Sequence, residues 1–315
     1  MAASKTVFAC IGGKYAYELV SSGKLPAERI GPRMTPFGKS QPIYRCRCNG
    51  GEFYLLFRHS DNPTPIASSF VNHRANIYAL KELGTTHILS WSAARAVSHN
   101  YRVGQFAVVD DLIDETRQRI GTFFEHGAIG DLRQWPVFCM SLRSIVSRAL
   151  DELDIKFVQR GTYLCSEGPR RETRAEVQKY AMWGADLLGH GLAPETFLAK
   201  ELQMCYANLC FVAEFAETGS GHRPFEAGCL FDGLAVEDDH RRAKDALDQI
   251  PRILERVFTC LSECECNCCC QKNLSEMIAD GQLDEDFRSW FKTFRPTTSP
   301  AMTKRLRDRR IAVAE

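Results

Sequence analysis

The chain has 315 residues, 44% of them hydrophobic, and a formal net charge of +1. That length supports a well-buried core in one large domain or two small ones. The near-neutral balance gives no electrostatic footprint for nucleic acid, and no apolar run reaches membrane-spanning length. The opening "MAASKTVFACIGG" lacks the order of a signal peptide, so the expected location is cytoplasmic.

In chain order, "TVFACIGG" reads as a strand ending in a glycine turn, and "EFYLLFRHS" as a strand ending at Arg58 and His59. "NHRANIYALKELG" reads as a helix with a glycine stop. "THILSWSAARAV" and "QFAVVDDLID" read as strands, and "SLRSIVSRALDELDI" as an amphipathic helix. "GTYLCSEGP" is a strand, "TRAEVQKYAMWGA" a helix and "ADLLGHG" a short strand. "APETFLAKELQM" is a helix with proline near its first turn, and "CYANLCFVAEFA" a strand. "DDHRRAKDALDQIPRILERVFTCL" is a long helix that Pro251 should interrupt.

This alternation predicts an α/β fold: a three-layer α/β/α single domain over residues 1–294, around a central mixed, mostly parallel twisted sheet. Residues 295–315, with "TKRLRDRR", read as a polar basic tail. Ligands of such sheets sit beyond the carboxyl ends of the strands. Those ends carry Gly13 and Lys14, Arg58 and His59, Ser92 and Ala93, Glu167 and Gly168, Gly189 and His190, and Glu214. Neither GxGxxG after the first strand nor GxxxxGK[ST] is present, which disfavours dinucleotide and P-loop readings. In "GHG", the glycines on both sides of His190 let the backbone approach something closely.

The chain contains 14 cysteines. Cys10, Cys165, Cys205 and Cys210 lie in apolar runs, where cysteine behaves as a small buried hydrophobe. Cys260, Cys264, Cys266, Cys268, Cys269 and Cys270 crowd together in "CLSECECNCCCQKN". That run offers a thiol-rich turn, a bracing disulfide or a zinc site. Its tight spacing lacks the two separated knuckles of a structural zinc module, so no metal site is assigned.

The rim residues and their order resemble the nucleoside phosphorylase superfamily, in its methylthioadenosine phosphorylase branch. The matching pieces are "TPFGKS", "RHS", "VNHRANIYALKELGTTHIL", "VVDDLIDETRQRIGTFF", "EGPRRETRAE", "WGAD" and "PETFLAKELQMCYA". A Cys-x-Cys pair near the C-terminus also matches, at Cys268 and Cys270. The resemblance implies phosphorolysis: phosphate attacks the anomeric carbon of a purine nucleoside while an acid stabilises the departing base. It also implies no cofactor, with inorganic phosphate as co-substrate, and a homo-oligomer (a trimer or hexamer). "HGAIGDLRQWPVF" matches the family's subunit-contact region.

By that resemblance, Arg58, His59 and Ser92 bind phosphate, assisted by Lys14 in place of a threonine. Ala93, Arg95, Arg171, Glu172, Gly189 and Gly191 line the substrate pocket. Glu214 stands where an Asp-x-Asp pair usually clamps the purine, and His190 replaces a methionine behind the ribose; both are assigned catalytic roles. Since several pocket positions depart together, three readings are open. The first is a methylthioadenosine phosphorylase-like pentosyltransferase. The second is a repurposed member acting by hydrolysis or elimination on a more anionic nucleoside or nucleotide, drawn by Lys14, Arg95, Arg171 and His190. The third is an inactive binding subunit.

Overall fold

The computed structural model describes residues 6–48, 51–62, 64–125, 131–218, 236–264 and 267–291. Its centre is a parallel set of strands: β1 (Phe8–Gly12), β6 (Gly51–Phe57), β7 (His87–Ala96) and β13 (Cys205–Phe215). β13 pairs with β7, β7 with β1, and β1 with β6, all in parallel. On one side the sheet continues antiparallel through β5 (Ile43–Cys48) to β2 (Ala27–Gly31). On the other, β13 meets β8 (Phe106–Val108), which carries β10 (Phe157–Val158). The two-stranded β3 (Met34–Thr35) and β4 (Gly38–Lys39) form a separate ribbon.

The alternation of side chains along the central strands builds two cores, one on each face. Phe8, Cys10, Leu89, Trp91, Leu209 and Phe211 face one core. That core also takes residues of α1 (Ala16–Ser21), α3 (Met140–Glu152) and α6 (Glu237–Glu263). Ala9, Ile11, Ile88, Tyr206, Cys210 and Val212 face the other, with α2 (His73–Glu82) and α5 (Glu195–Glu201). The architecture is therefore the expected three-layer α/β/α arrangement.

The far end of β7 shapes the site directly. Its last residues also pair antiparallel with β12 (Leu187–Gly189), Leu188 opposite Arg95. β12 in turn pairs with β11 (Thr162–Ser166), and β11 with β9 (Asp111–Glu115), both in parallel. A bulge between Val212 and Glu214 keeps β13 in step with β7 to its end, setting Glu214 opposite Arg95.

Two expectations need correction. "QFAVVDDLID" is two strands, β8 and β9, which join different partners. Pro251 does not interrupt α6, which runs unbroken through it. The missing N–H is tolerated because Ile250, Ile253 and Leu254 around it are fully buried against the core. The antiparallel strands between residues 27 and 48 were not anticipated. α4 (Arg174–Met182) begins with a capping box between Thr173 and Glu176, and α7 (Ser275–Ala279) lies beyond the cysteine-rich turn. The expected tail, 295–315, lies outside the described residues.

Candidate active site

The site begins where β1 and β6 end together. The Arg58 amide donates to the Gly12 carbonyl at 3.1 Å, which sets Gly13 and the Arg58 side chain next to each other. Arg58 is 1% exposed, and a buried guanidinium requires an anion. Glu195, the first residue of α5, supplies it. Arg58 Nε donates to Glu195 Oε1 at 2.6 Å and Nη2 to Oε2 at 2.9 Å, a bidentate pair. Arg58 Nη2 also donates to Ser90 Oγ at 2.7 Å. The Tyr206 hydroxyl donates to Glu195 Oε2 at 2.9 Å, and His73 Nδ1 lies 3.3 Å from Oε1. Burial opposes both charges, but the mutual attraction wins: the Arg58 pKa is raised and the Glu195 pKa lowered.

The remaining nitrogen of the fork, Nη1, lies between two glycines. A Cβ on Gly191 would come within 3.2 Å of it, and one on Gly13 within 3.8 Å of it and of Ser92 Cα. A Cβ on Gly189 would collide with the Tyr163 hydroxyl at 2.0 Å. The glycines of "GHG" thus admit Arg58 and Tyr163, protein groups that support the pocket wall. His59 is half-buried, and its Nδ1 lies 2.9 Å from the Ile66 carbonyl. Burial, then the neighbouring Arg58 charge, lowers its pKa to about 4, so the ring is neutral near pH 7. The bond to Ile66 then keeps the proton on Nδ1 and leaves Nε2 as an acceptor. Ser92 is buried, its Oγ 3.5 Å from Cys210 Sγ. Lys14 is exposed, with Nζ 4.8 Å from the centroid of the Tyr15 ring.

A second network lies along the rim formed by β7, β11, β12 and β13. His190 Nε2 is 3.2 Å from Glu172 Oε1 and 3.2 Å from Arg95 Nη2. Arg95 Nη2 also approaches Glu172 Oε2 at 2.7 Å, an ion-pair contact without hydrogen-bond alignment. The Ser166 hydroxyl donates to Glu172 Oε1. Burial alone would raise the Glu172 pKa. The His190 hydrogen bond, the Arg95 charge and the Ser166 hydroxyl outweigh it and hold the value at about 2. His190 Nε2 sits between a donor and an acceptor, so the proton on that atom decides which bond forms. Further out, Arg171 Nη1 meets Glu214 Oε1 at 2.7 Å, with the two side chains 44% and 14% exposed. Ala93 is half-buried, opposite Phe211 of β13.

Arg119 joins these parts. Its side chain is buried, and Nη1 donates to the carbonyls of His190 at 2.8 Å and Ala193 at 2.6 Å. Nη2 donates to the Glu167 carbonyl at 2.8 Å. One guanidinium therefore ties the end of β11 to the "GHG" turn. A cavity of about 210 Å³ shares Ser166 and Glu172 with the rim network, and Arg117, Gly168 and Glu176 also line it.

The sequence reading missed Glu195, His73, Tyr163 and Arg119 as site residues. "PETFLAKE" offers two carboxylates, Glu195 and Glu201, and nothing local distinguishes the one that reaches Arg58. Arg119 gave no local signal: its partners are carbonyls made adjacent only by folding.

A family model described as the phosphorylase superfamily matches residues 16–259. The chain belongs to the phosphorylase superfamily. Among its relatives, the chain is 41% identical over 182 residues to an S-methyl-5'-thioadenosine phosphorylase of Thermofilum pendens, covering 58% of this chain and 69% of that one. It is 33% identical to the S-methyl-5'-thioadenosine phosphorylase of Nitrosopumilus maritimus, over 73% of this chain and 87% of the relative. A solved methylthioadenosine phosphorylase from an antarctic soil metagenomic library superimposes with a TM-score of 0.73 at 28% identity, covering 87% of this chain and 92% of that one. The Schistosoma mansoni methylthioadenosine phosphorylase in complex with tubercidin has a TM-score of 0.72 at 22% identity, covering 87% and 98%, and supports the fold. In this phosphorylase-superfamily chain, no described helix is long and apolar enough to cross a membrane.

Proposed function

We propose that this protein transfers the sugar of a purine nucleoside, of the methylthioadenosine type, to inorganic phosphate, releasing the base and a sugar-1-phosphate. The observation that carries the reading is the buried Arg58, locked by Glu195, with Nη1 directed at the gap between Gly13 and Gly191 beside Ser92. A charge fixed in a dry corner needs no reorganisation when an anionic nucleophile arrives. Arg58 and Ser92 hold the phosphate, and neutral His59 accepts a hydrogen bond from a P–OH group through Nε2. Lys14 borders this corner. Gly189, Gly191 and Ala93 form the sugar wall, with His190 held behind it by Glu172. Glu214 serves as the acid on the base side, where Arg95 and Arg171 set its surroundings.

Relatives named for thioadenosine and thioinosine phosphorolysis support the substrate class. The reading of an anionic nucleotide is weakened, since Arg95 and His190 share Glu172 and Arg171 engages Glu214; of its four groups Lys14 instead lies over the Tyr15 ring. We further propose a single domain over 1–294, a homo-oligomer and a cytoplasmic location. No described cysteine is in a disulfide, which suits a reducing compartment. Part of the segment expected at the subunit contact, residues 126–130, lies outside the described residues.

The test is base release from methylthioadenosine, adenosine and inosine, measured chromatographically with and without phosphate. We expect release from at least the first, dependent on phosphate. Glu214→Gln should lower kcat/KM by about 10²–10⁴-fold. Release independent of phosphate, or none from any of the three, would overturn the proposal.

A further inference from the structure

Four cysteines from separate parts of the chain converge on a point outside the site described above. Cys139 caps α3, its Sγ accepting the Leu142 amide at 3.4 Å. Cys205 is the first residue of β13, and Cys268 and Cys270 come after α6. Their four sulfur atoms all lie within 4.8 Å of one another. The Sγ atoms of Cys205 and Cys268 are 3.2 Å apart. Four thiolates at ~2.3 Å from a tetrahedral ion stand roughly 3.8 Å from each other. The observed set is therefore already close to the size of such a shell.

The local sequence concealed this arrangement. The cysteine-rich run is not a unit: Cys260 is buried in α6 against the Glu152 carboxylate, and Cys264 contacts Arg148. Cys266 lies outside the described residues. Of the described cysteines in that run, Cys268 and Cys270 alone join the group, and the missing second half comes from Cys139 and Cys205. Cys205 is thus more than the small buried hydrophobe its apolar run suggested.

We propose that Cys139, Cys205, Cys268 and Cys270 form a structural binding site for zinc. An all-sulfur tetrahedral set selects soft or borderline cations and excludes calcium and magnesium, which take oxygen. Four protein ligands leave no open coordination position, so the ion braces the fold and takes no part in the reaction. Two ligands are buried and two half-buried, as a closed site requires. The surroundings favour anionic sulfur. Cys139 sits at the positive end of a thirteen-residue helix and already accepts a backbone N–H. Lys200 and Arg133 line a crevice of about 280 Å³ that includes Cys139, Cys268 and Cys270. Binding forms four zinc–sulfur bonds and passes the thiol protons to solvent, with nothing oxidised or reduced. The ion would fasten the segment after α6 to the start of β13 and to the N-terminus of α3.

The test uses the full chain, produced with zinc supplied and purified with reductant and without chelator. Elemental analysis should find about one zinc per chain. Cobalt(II) exchanged into the site should give the visible absorption of a tetrahedral thiolate complex. This readout needs no variant and is independent of turnover. Cys268→Ser combined with Cys270→Ser should lower bound zinc roughly tenfold or more, whereas Cys264→Ser and Cys269→Ser should retain it. A folded chain with no zinc and no cobalt–sulfur absorption would overturn the proposal. So would equal loss in the control variants, or a metal-free chain whose intact mass shows the hydrogens of two disulfides missing.

Discussion

The Arg58 corner and the base-side rim lie at the ends of neighbouring strands, yet they hold charge in opposite ways. Arg58 and Glu195 are 1% and 0% exposed in their side chains, and the pair is enclosed by Ser90, Tyr206 and His73. Arg171 and Glu214 reach 44% and 14%. A fully desolvated pair is fixed in geometry, because no water can take the place of either charge's counter-ion. A solvent-facing pair gains little from pairing, so a ligand can displace it at small cost. The corner is thus suited to hold one constant anion, and the rim to rearrange around a variable group.

The sharpest way to break this contrast is Glu195→Ala. It leaves a buried guanidinium without its counter-ion, and we expect about 3–5 kcal/mol of destabilisation in denaturant melts. A loss below about 1 kcal/mol would mean that the corner is wetter than its burial implies.

Two further glutamates sharpen the contrast through pH. Glu172 has a folded pKa of about 2, below its ordinary 4.5. Its stabilisation is present above 4.5 and is lost as pH falls through about 2. Glu201 on α5 is 3% exposed and accepts from Thr122 Oγ1 at 2.6 Å and the Phe123 amide at 2.7 Å. Burial raises its pKa from 4.5 to about 7, and these hydrogen bonds only partly oppose the shift. Its contribution is present below 4.5 and is lost as pH rises through about 7. Each shift corresponds to an effect of up to about 3 kcal/mol. Stability measured against pH should have a shallower acid-side slope in Glu172→Gln and an altered slope between 4.5 and 7 in Glu201→Gln, each relative to the unsubstituted protein. Unchanged slopes would remove the assigned causes.

The smallest expected effect is that of Arg171→Ala. Stability should change by less than about 1 kcal/mol, while KM for the nucleoside should move because Glu214 loses its partner. An unfolding-scale loss would show that the rim is as rigid as the corner.

The strand-end residues were legible because α/β architecture makes them so: strands that run parallel deliver their carboxyl ends to one edge. Arg58, Ser92, His190 and Glu214 could therefore be named from their places at or just past the ends of apolar runs. The partnerships were not legible. Nothing near Arg58 in sequence identifies Glu195, 137 residues away, as its counter-ion. Nothing near His190 points to Glu172 or Arg95, and of the groups that suggested an anionic substrate, Arg95, Arg171 and His190 have carboxylate partners, whereas Lys14 lies over the Tyr15 ring.

The sequence alone determined the layered α/β class, most of the central strands and helices, and the set of polar residues at the sheet's edge. These depend on local periodicity and on the rule that apolar faces are buried. The tertiary structure decided which charges neutralise one another, why "GHG" needs its glycines, and which four thiols meet. Pairing depends on distances between elements far apart in the chain, and those distances are set only when the layers pack.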